Sequence, residues 1–456
     1  MITYESLQVN LPVNLLQLEE VVWSEQINSH AKGYLNGVLP EEEGNRAMES
    51  LSFGSDCIIK GNGEILFQGI ISGCEVDFRD GLYILHLDFS SSSVLLDTKQ
   101  KRKSFQKIHD TYCDTIREIA EKQKSMVLVN QVKAANPQAP VIQYEETDWK
   151  FMKRLASYMN TFLYPDVTCE KNVLNIGPRS ASGTTINGTS YRVGKNVEDF
   201  RTFQENVGGI TENSWTFYRV DSFESLRLGE TVNFQGCPYT IYTKNARLED
   251  GTLRFQYGLM NEDGLKILPK YNESFRGAGI MGTILEVVDG YKLKLHLEID
   301  EKQSKSDAFP YDFSSVYAAE GSTGWYFIPE VGEQVCLFCK ERDEQTAYIT
   351  RVRQKETTYT RNPDIRYTGT PEDTELTVKK DEMVFNIEDG KLYVWVSEQN
   401  GLVIESDEEI MIHSDGDIDI SCDSFWAKAK NAVNLVKDGK SIIVDSIVQF
   451  NGDSVK

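Results

Sequence analysis

From Lys391 the sequence divides into units of eight: Lys391-Leu-Tyr-Val-Trp-Val-Ser-Glu398, Gln399-Asn-Gly-Leu-Val-Ile-Glu-Ser406, Asp407-Glu-Glu-Ile-Met-Ile-His-Ser414 and Asp415-Gly-Asp-Ile-Asp-Ile-Ser-Cys422. The fourth and sixth places are apolar in every unit: Val394 and Val396, Leu402 and Ile404, Ile410 and Ile412, Ile418 and Ile420. Residues two apart project from the same side of an extended chain, so each octad reads as a short strand with an apolar stripe and a polar corner. Such a strand buries about two side chains at roughly 1.5–3 kcal/mol each, too little to order eight residues that cost about 1–2 kcal/mol apiece. Closing three copies into a triangular prism turns every stripe onto a shared axis and leaves only the ends as open strand edges. The octads therefore predict a trimeric, triple-stranded β-helix with those eight side chains as its core. A single-chain solenoid, whose coils are usually longer, and an ordinary antiparallel sheet are the competing architectures. Beyond Cys422 the apolar pairs slip by one place, to Phe425/Ala427, Val433/Leu435, Ile442/Val444 and Val448/Phe450. The repeat is expected to continue there less regularly, in competition with a helix over 425–436.

At 456 residues the chain is too long for one compact core. Its formal charge of −22 repels phosphate backbones and anionic lipid, which argues against nucleic-acid partners. Half of that charge falls in the last 86 residues, which hold 19 acidic and 8 basic side chains, as suits the solvated outside of a prism. No apolar run approaches the ~20 residues of a membrane span, and Met1 to Pro12 lacks the pattern of a signal peptide, so synthesis in the cytoplasm is expected. Eight scattered cysteines suit reduced, half-buried thiols rather than a disulfide framework.

Along the chain, residues 1–100 alternate as strands, as in Leu7-Gln-Val-Asn-Leu11, Cys57 to Ile71 and Leu82 to Phe89. Ile108, Tyr112, Ile116 and Ile119 then fall on one helical stripe, with the helix ending near Lys124. A strand from Val141 to Tyr144 leads through the capping residues Thr147 and Asp148 into a second helix, whose Trp149, Met152 and Ala156 share a packing face. Residues 101–175 thus read as an α+β insert, and strands return over 176–277. Asp80-Gly-Leu-Tyr-Ile84 echoes Asp250-Gly-Thr-Leu-Arg254, and Cys57-Ile-Ile-Lys-Gly61 echoes Thr231-Val-Asn-Phe-Gln-Gly236, a weak sign of internal duplication. Residues 278–356 have the size of a small β-barrel, and 357–456 hold the octads.

Motifs that could carry chemistry have simpler readings. Glu145, Glu146 and Asp148 suit a helix N-terminus better than an acid/base pair. Cys336-Leu-Phe-Cys339 has half a zinc site's spacing, but in a strand residues three apart face opposite sides. The five histidines, 30, 86, 109, 296 and 413, are dispersed, and His413 takes an outward octad place. Gly439-Lys440-Ser441 ends like a phosphate loop, yet the earlier glycine that such a loop needs is Asn434. The consecutive aromatics Trp325, Tyr326 and Phe327 cannot all line one nucleic-acid groove. No catalytic residue, cofactor or metal is implied.

The segment Ile142-Gln-Tyr-Glu-Glu-Thr-Asp-Trp-Lys-Phe-Met-Lys-Arg-Leu-Ala156 resembles the strand-to-helix signature of VgrG-type spike proteins and phage late control protein D. Gly324-Trp-Tyr-Phe-Ile-Pro-Glu-Val-Gly-Glu-Gln-Val335 is similar to the family's OB-fold signature, and the octads resemble its needle. The matches follow the family's order along nearly the whole chain. The resemblance implies a mainly β fold: tube-like barrels at 1–100 and 176–277 flanking the α+β insert, an OB-fold at 278–356 and a needle at 357–456. It implies a homotrimeric hub and spike of a contractile injection system, such as a phage tail, tailocin or type VI-like machine. The partners it implies are a hexameric inner tube, baseplate components, a tip-capping protein or cargo effector, and transiently the target envelope. No hydrolase extension follows the octads, so a structural protein is expected; a spike with its own cell-wall hydrolase or toxin activity is the alternative.

Overall fold

The computed structural model describes residues 1–44, 46–123, 126–315, 318–319, 323–324, 327–352, 361–370, 373–388, 390–444 and 448–451. It divides into two compact units, Met1–Arg353 and Gln354–Lys456.

Within the first unit, residues 1–100 and 176–277 do not close as two separate barrels. They share one 12-stranded, barrel-like sheet. In the first half, Leu7–Asn10 pairs with Asp56–Gly61, followed in order by Glu64–Arg79, Leu82–Ser90, Lys32–Leu39 and Gln17–Gln26. The second half repeats that order with Ala181–Thr185, Thr231–Phe234, Cys237–Glu249, Thr252–Met260, Thr216–Ser222 and Ser190–Lys195. The repeat extends to detail. A bulge interrupts the register between Ile71 and Gly73, and again between Ile241 and Thr243. Asp80-Gly81 and Asp250-Gly251, the pair echoed in the sequence, both turn their hairpins with positive φ at both residues, the geometry that matches strand twist. Alternating apolar residues of both halves, among them Val21, Trp23, Leu35, Phe67, Phe89, Phe255 and Tyr257, merge into one core.

The insert pairs Gln100–Phe105 with Val141–Thr147 and adds the three-stranded sheet Leu163–Asp166, Val173–Ile176, Val127–Asn130. Its first helix spans Tyr112–Glu121 and excludes Ile108, because Thr111 and Asp114 form a reciprocal capping box that fixes the start. Its second, Asp148–Tyr158, is capped by Thr147, whose Oγ1 accepts from Lys150 N at 3.3 Å. Trp149, Met152 and Ala156 are buried.

The third part orders Pro310–Asp312, Lys292–Leu297, Ala278–Val288, Gln334–Cys339 and Tyr348–Val352 in a five-stranded sheet, and a parallel bridge from Phe313 to Ile349 brings its two edges together. Trp325 and Tyr326 lie outside the described residues, and Phe327 is exposed.

In the second unit, Arg366–Gly369, Glu375–Val378, Glu382–Ile387, Leu392–Ser397 and Gly401–Ser406 form an antiparallel meander. The first two octads are its last hairpin, with Val394 opposite Ile404 and Val396 opposite Leu402. The third and fourth octads, expected as strands, form none: Ile410, Ile412, Ile418 and Ile420 are exposed. The physical reason is the one that limits an octad: two apolar side chains cannot order eight residues unless something covers them. No helix forms over 425–436; Val433–Lys437 is instead a strand in a three-stranded sheet with Lys440–Val444 and Val448–Asn451. The turn of its first hairpin holds Gly439, so no helix follows Lys440 and Ser441 as a phosphate loop would need.

Candidate functional site

The sheet halves meet where Gln17–Gln26 runs antiparallel to Cys237–Glu249, with Trp23 opposite Ala246, Glu25 opposite Lys244 and Val22 opposite Arg247. Cys237–Glu249 reaches both neighbours by length, giving its first residues to Thr231–Phe234 and the rest to this seam. Lys244 Nζ lies 3.0 Å from Glu25 Oε1, and both side chains are buried. The ammonium makes an electrostatic contact without a directed hydrogen bond, while Trp23 Nε1 donates to the same oxygen at 3.1 Å. A buried pair of this kind fixes register more than it adds stability.

Alignment through the strand registers gives each seam residue a counterpart. Val21, Leu35, Leu87 and Cys74 lie side by side across the first half, as Tyr191, Val220, Tyr257 and Lys244 do across the second. Both Tyr191 and Lys244 follow their counterparts by 170 residues.

A second joint ties the insert to the five-stranded sheet. Arg154 is fully buried; its Nη1 donates to Glu344 Oε1 at 2.5 Å, and its Nη2 to Glu146 Oε1 at 2.6 Å and Ile142 O at 2.8 Å. Burial opposes the guanidinium charge, but Glu344 and Glu146 outweigh it and hold Arg154 ionised well above its ordinary range. Burial pushes the Glu146 carboxyl up, against the pull of Arg154. Ser104 N also donates to Asp300 Oδ1 at 2.7 Å, and Gln106 Nε2 to Leu295 O at 3.2 Å. On its other side the helix Asp148–Tyr158 meets the large sheet, with the His30 and Trp149 rings 4.3 Å apart and Lys153 Nζ donating to Asn28 O at 3.3 Å.

These contacts account for the carboxylates offered as an acid/base set. Glu146 is locked to Arg154, Asp148 to Lys101 at 2.5 Å, and exposed Glu145, with φ of 50°, to Arg102. Cys336 is half-buried against Gly279, whereas Cys339 points into the core, where burial pushes its thiol up to about 12. Among the described residues no three His, Cys, Asp or Glu side chains cluster as metal ligands, all eight cysteines are free, and no helix is long and apolar enough to cross a membrane. The sequence reading missed Glu25, Lys244, Arg154 and Glu344. Charged residues read as surface positions whether they stand in strands, as Glu25 and Lys244 do, in a helix, as Arg154 does, or in a short 3-10 turn, as Glu344 does, and only an isolated charge within an apolar alternation, as at Glu25 after Val21 and Trp23, could have signalled the seam.

No protein-family model matches the sequence, and no curated protein does. Solved structures match it in fold. The E. coli c3393 protein, described as a type VI secretion component structurally similar to T4 bacteriophage tail proteins gp27 and gp5, is 13% identical with a TM-score of 0.55, covering 75% of this chain and 98% of its own. VgrG in complex with PdpA from Francisella, in a half-lidded form, is 9% identical with a TM-score of 0.54, covering 88% and 87%. A lidless PdpA–VgrG complex is 8% identical at a TM-score of 0.54, covering 85% and 93%. The structural neighbours are thus VgrG-related and tail-protein-like, in agreement with the resemblance read from the sequence, and at these identities the likeness is one of fold.

Proposed function

We propose that the chain is one protomer of a homotrimeric hub and spike, a structural component at the tip of a contractile injection apparatus. The observation that carries this reading is the duplicated half-sheet. Three copies with two like halves each present six similar units, the number needed to meet a hexameric inner tube from a threefold needle. The fold likeness to a type VI secretion component and to VgrG supports the same placement. The five-stranded sheet serves in this reading as an OB-fold connector, and the octads as needle. Val394, Val396, Leu402, Ile404, Ile410, Ile412, Ile418 and Ile420 then face the threefold axis, which gives half-buried Val394 and the seven exposed side chains the cover one chain lacks.

The action is mechanical: contraction drives tube and needle forward, and inter-chain hydrogen bonding along the prism resists buckling. Such a protein needs no active site of its own. Baseplate components, a tip-capping protein or cargo effector, and the target envelope are its other contacts. The test is the mass of the purified full-length chain by light scattering. A mass of three chains is expected, and a monomer across the micromolar range overturns the reading.

A further inference from the structure

The helix Asp148–Tyr158 carries lysines where its own energetics do not favour them. Lys150 stands in its first turn, at the end where the helix dipole favours carboxylates, and Lys153 follows one turn later on the same stripe. Ser157 continues that stripe, and its Oγ accepts from Lys270 N at 2.8 Å, which brings a third lysine onto the ridge from the segment after Thr252–Met260. Lys150 and Lys270 are exposed; half-buried Lys153 donates from Nζ to Asn28 O at 3.3 Å, with the same ammonium 5.7 Å from the centre of the Trp149 ring. Among the described residues none of the three forms an ion pair, whereas other lysines of the same parts of the chain do: Lys101 with Asp148, Lys103 and Lys122 with Glu118, Lys266 with Asp263. Burial, and then Lys270 and Lys150, push the Lys153 ammonium below its ordinary range against the pull of Asp97. Asp97 is itself engaged, accepting from Thr147 Oγ1 and lying 3.5 Å from His30 Nε2. Three lysines gathered around one occupied carboxylate repel one another, and an anion placed on the ridge relieves that repulsion.

We propose that this ridge is a docking surface for a short acidic segment of a neighbouring protein, whose carboxylates sit on Lys150, Lys153 and Lys270. Exposed Tyr271, its ring 6.2 Å from that of Tyr158, stands beside Lys270 and adds an apolar contact at one end. Charge favours a short segment over a long polyanion. A nucleic acid or an anionic bilayer extends past three lysines onto the surface of a chain whose formal charge is −22, and that surface repels it. A few carboxylates on an extended peptide match the ridge and end with it. The surface belongs to the first unit, so it depends neither on the octads nor on the number of copies in the assembly.

Fluorescein-labelled hexaglutamate is the probe, titrated against full-length chain at low ionic strength and followed by anisotropy. Saturable binding is expected, and salt at about 0.5 M should abolish it by screening. Lys150→Glu with Lys270→Glu, both exposed positions, should weaken binding about three- to tenfold, whereas Lys150→Arg with Lys270→Arg keeps the charge and should bind as wild type. Lys171→Glu with Lys302→Glu makes the same change of net charge at exposed lysines away from the ridge and should leave binding as it is. Carbodiimide coupling of the bound peptide should place its amide links on Lys150, Lys153 and Lys270. No saturable binding, equal loss in the two charge-reversed variants, or links spread over exposed lysines in general overturns the site. Tighter binding of a single-stranded oligonucleotide or of phosphatidylglycerol vesicles than of hexaglutamate, lost in the Lys150 and Lys270 variant, overturns the acidic segment as its occupant.

Discussion

Arg154 Nη1 donates to Glu344 Oε1 across 2.5 Å, bridging residues 190 apart in sequence and holding the insert to the five-stranded sheet. Arg154→Met leaves Glu146 and Glu344 buried without their cation. It should destabilise the chain by about 3–5 kcal/mol, the range for breaking a buried pair from one side. Arg154→Met with Glu146→Gln and Glu344→Gln should recover much of that loss. Urea unfolding of the three forms checks it, and equal midpoints for wild type and Arg154→Met would remove the network from the account of stability.

Glu25 and Lys244 make the same argument at the seam. Lys244→Met alone strands a buried carboxylate and should cost about 3–5 kcal/mol, whereas Glu25→Leu with Lys244→Met should lie near or above wild type in stability. Thermal melting of the single and double variants separates a register-setting pair from a stabilising one.

Asp166 supplies a pH dependence with a definite sign. Burial alone would raise its carboxyl, but Arg179 and Thr168 outweigh burial and bring it from 3.8 down to about 2. A carboxylate depressed in the folded state contributes fully above its unfolded value and loses that contribution as pH falls through the folded one. Wild type should therefore hold roughly 2 kcal/mol over Asp166→Asn near pH 6, an advantage that fades between about pH 4 and pH 2. Denaturant titrations at several pH values check it; a difference that stays constant to pH 2 would contradict the assignment.

Gly229 tests a close approach. Its φ is 77°, and a Cβ there would lie 1.9 Å from Tyr164 Oη. Gly229→Ala should destabilise by about 1–3 kcal/mol through backbone strain and crowding. Tyr164→Phe in the same background keeps the ring carbon Cζ, 2.2 Å from that Cβ, so it should recover only a small part of the crowding, whereas Tyr164→Leu, which removes the ring, should recover more of it at its own cost of a lost ring in the core; the backbone cost stays in the unfolding midpoint of both.

The legible parts of this chain are those where period alone carries the signal. Trp149, Met152 and Ala156 advertise a helix face, and Thr147 its cap, because both effects act within one turn. The strand runs of 1–100 were readable for the same reason. The duplication showed in the turns Asp80-Gly81 and Asp250-Gly251, since positive φ restricts residue choice more tightly than strand positions do, and more faintly in the echo of residues 57–61 by 231–236, which fall in strands that hold the same place in the two halves. The seam left no such trace. Gln17–Gln26 and Cys237–Glu249 meet across more than half the first unit, and nothing local in either sets that register. Arg154 shows the limit from another side: it stands in a helix whose periodicity was plain, yet Glu344, which explains its burial, opens a short 3-10 turn far along the chain.

The octads pose the sharpest test, because the single chain and the trimeric needle predict opposite results for one substitution. Ile412 is 77% exposed and outside any strand in the chain by itself. On that surface Ile412→Asp should change stability by no more than about 0.5 kcal/mol. In a three-chain prism the same position faces the axis, and three carboxylates would be forced together in a dry core, where burial and like-charge repulsion both oppose them. Ile412→Asp should then lower the melting temperature of the assembly by tens of degrees or reduce its mass to that of one chain, while Ile412→Val, which keeps the stripe apolar, should melt within a few degrees of wild type. Met411, the intervening side chain of the same octad, projects to the other face of an extended strand. Met411→Asp is therefore the internal control: tolerance there with collapse at Ile412 supports an inward stripe, and equal tolerance at both positions would rule the prism out for this octad.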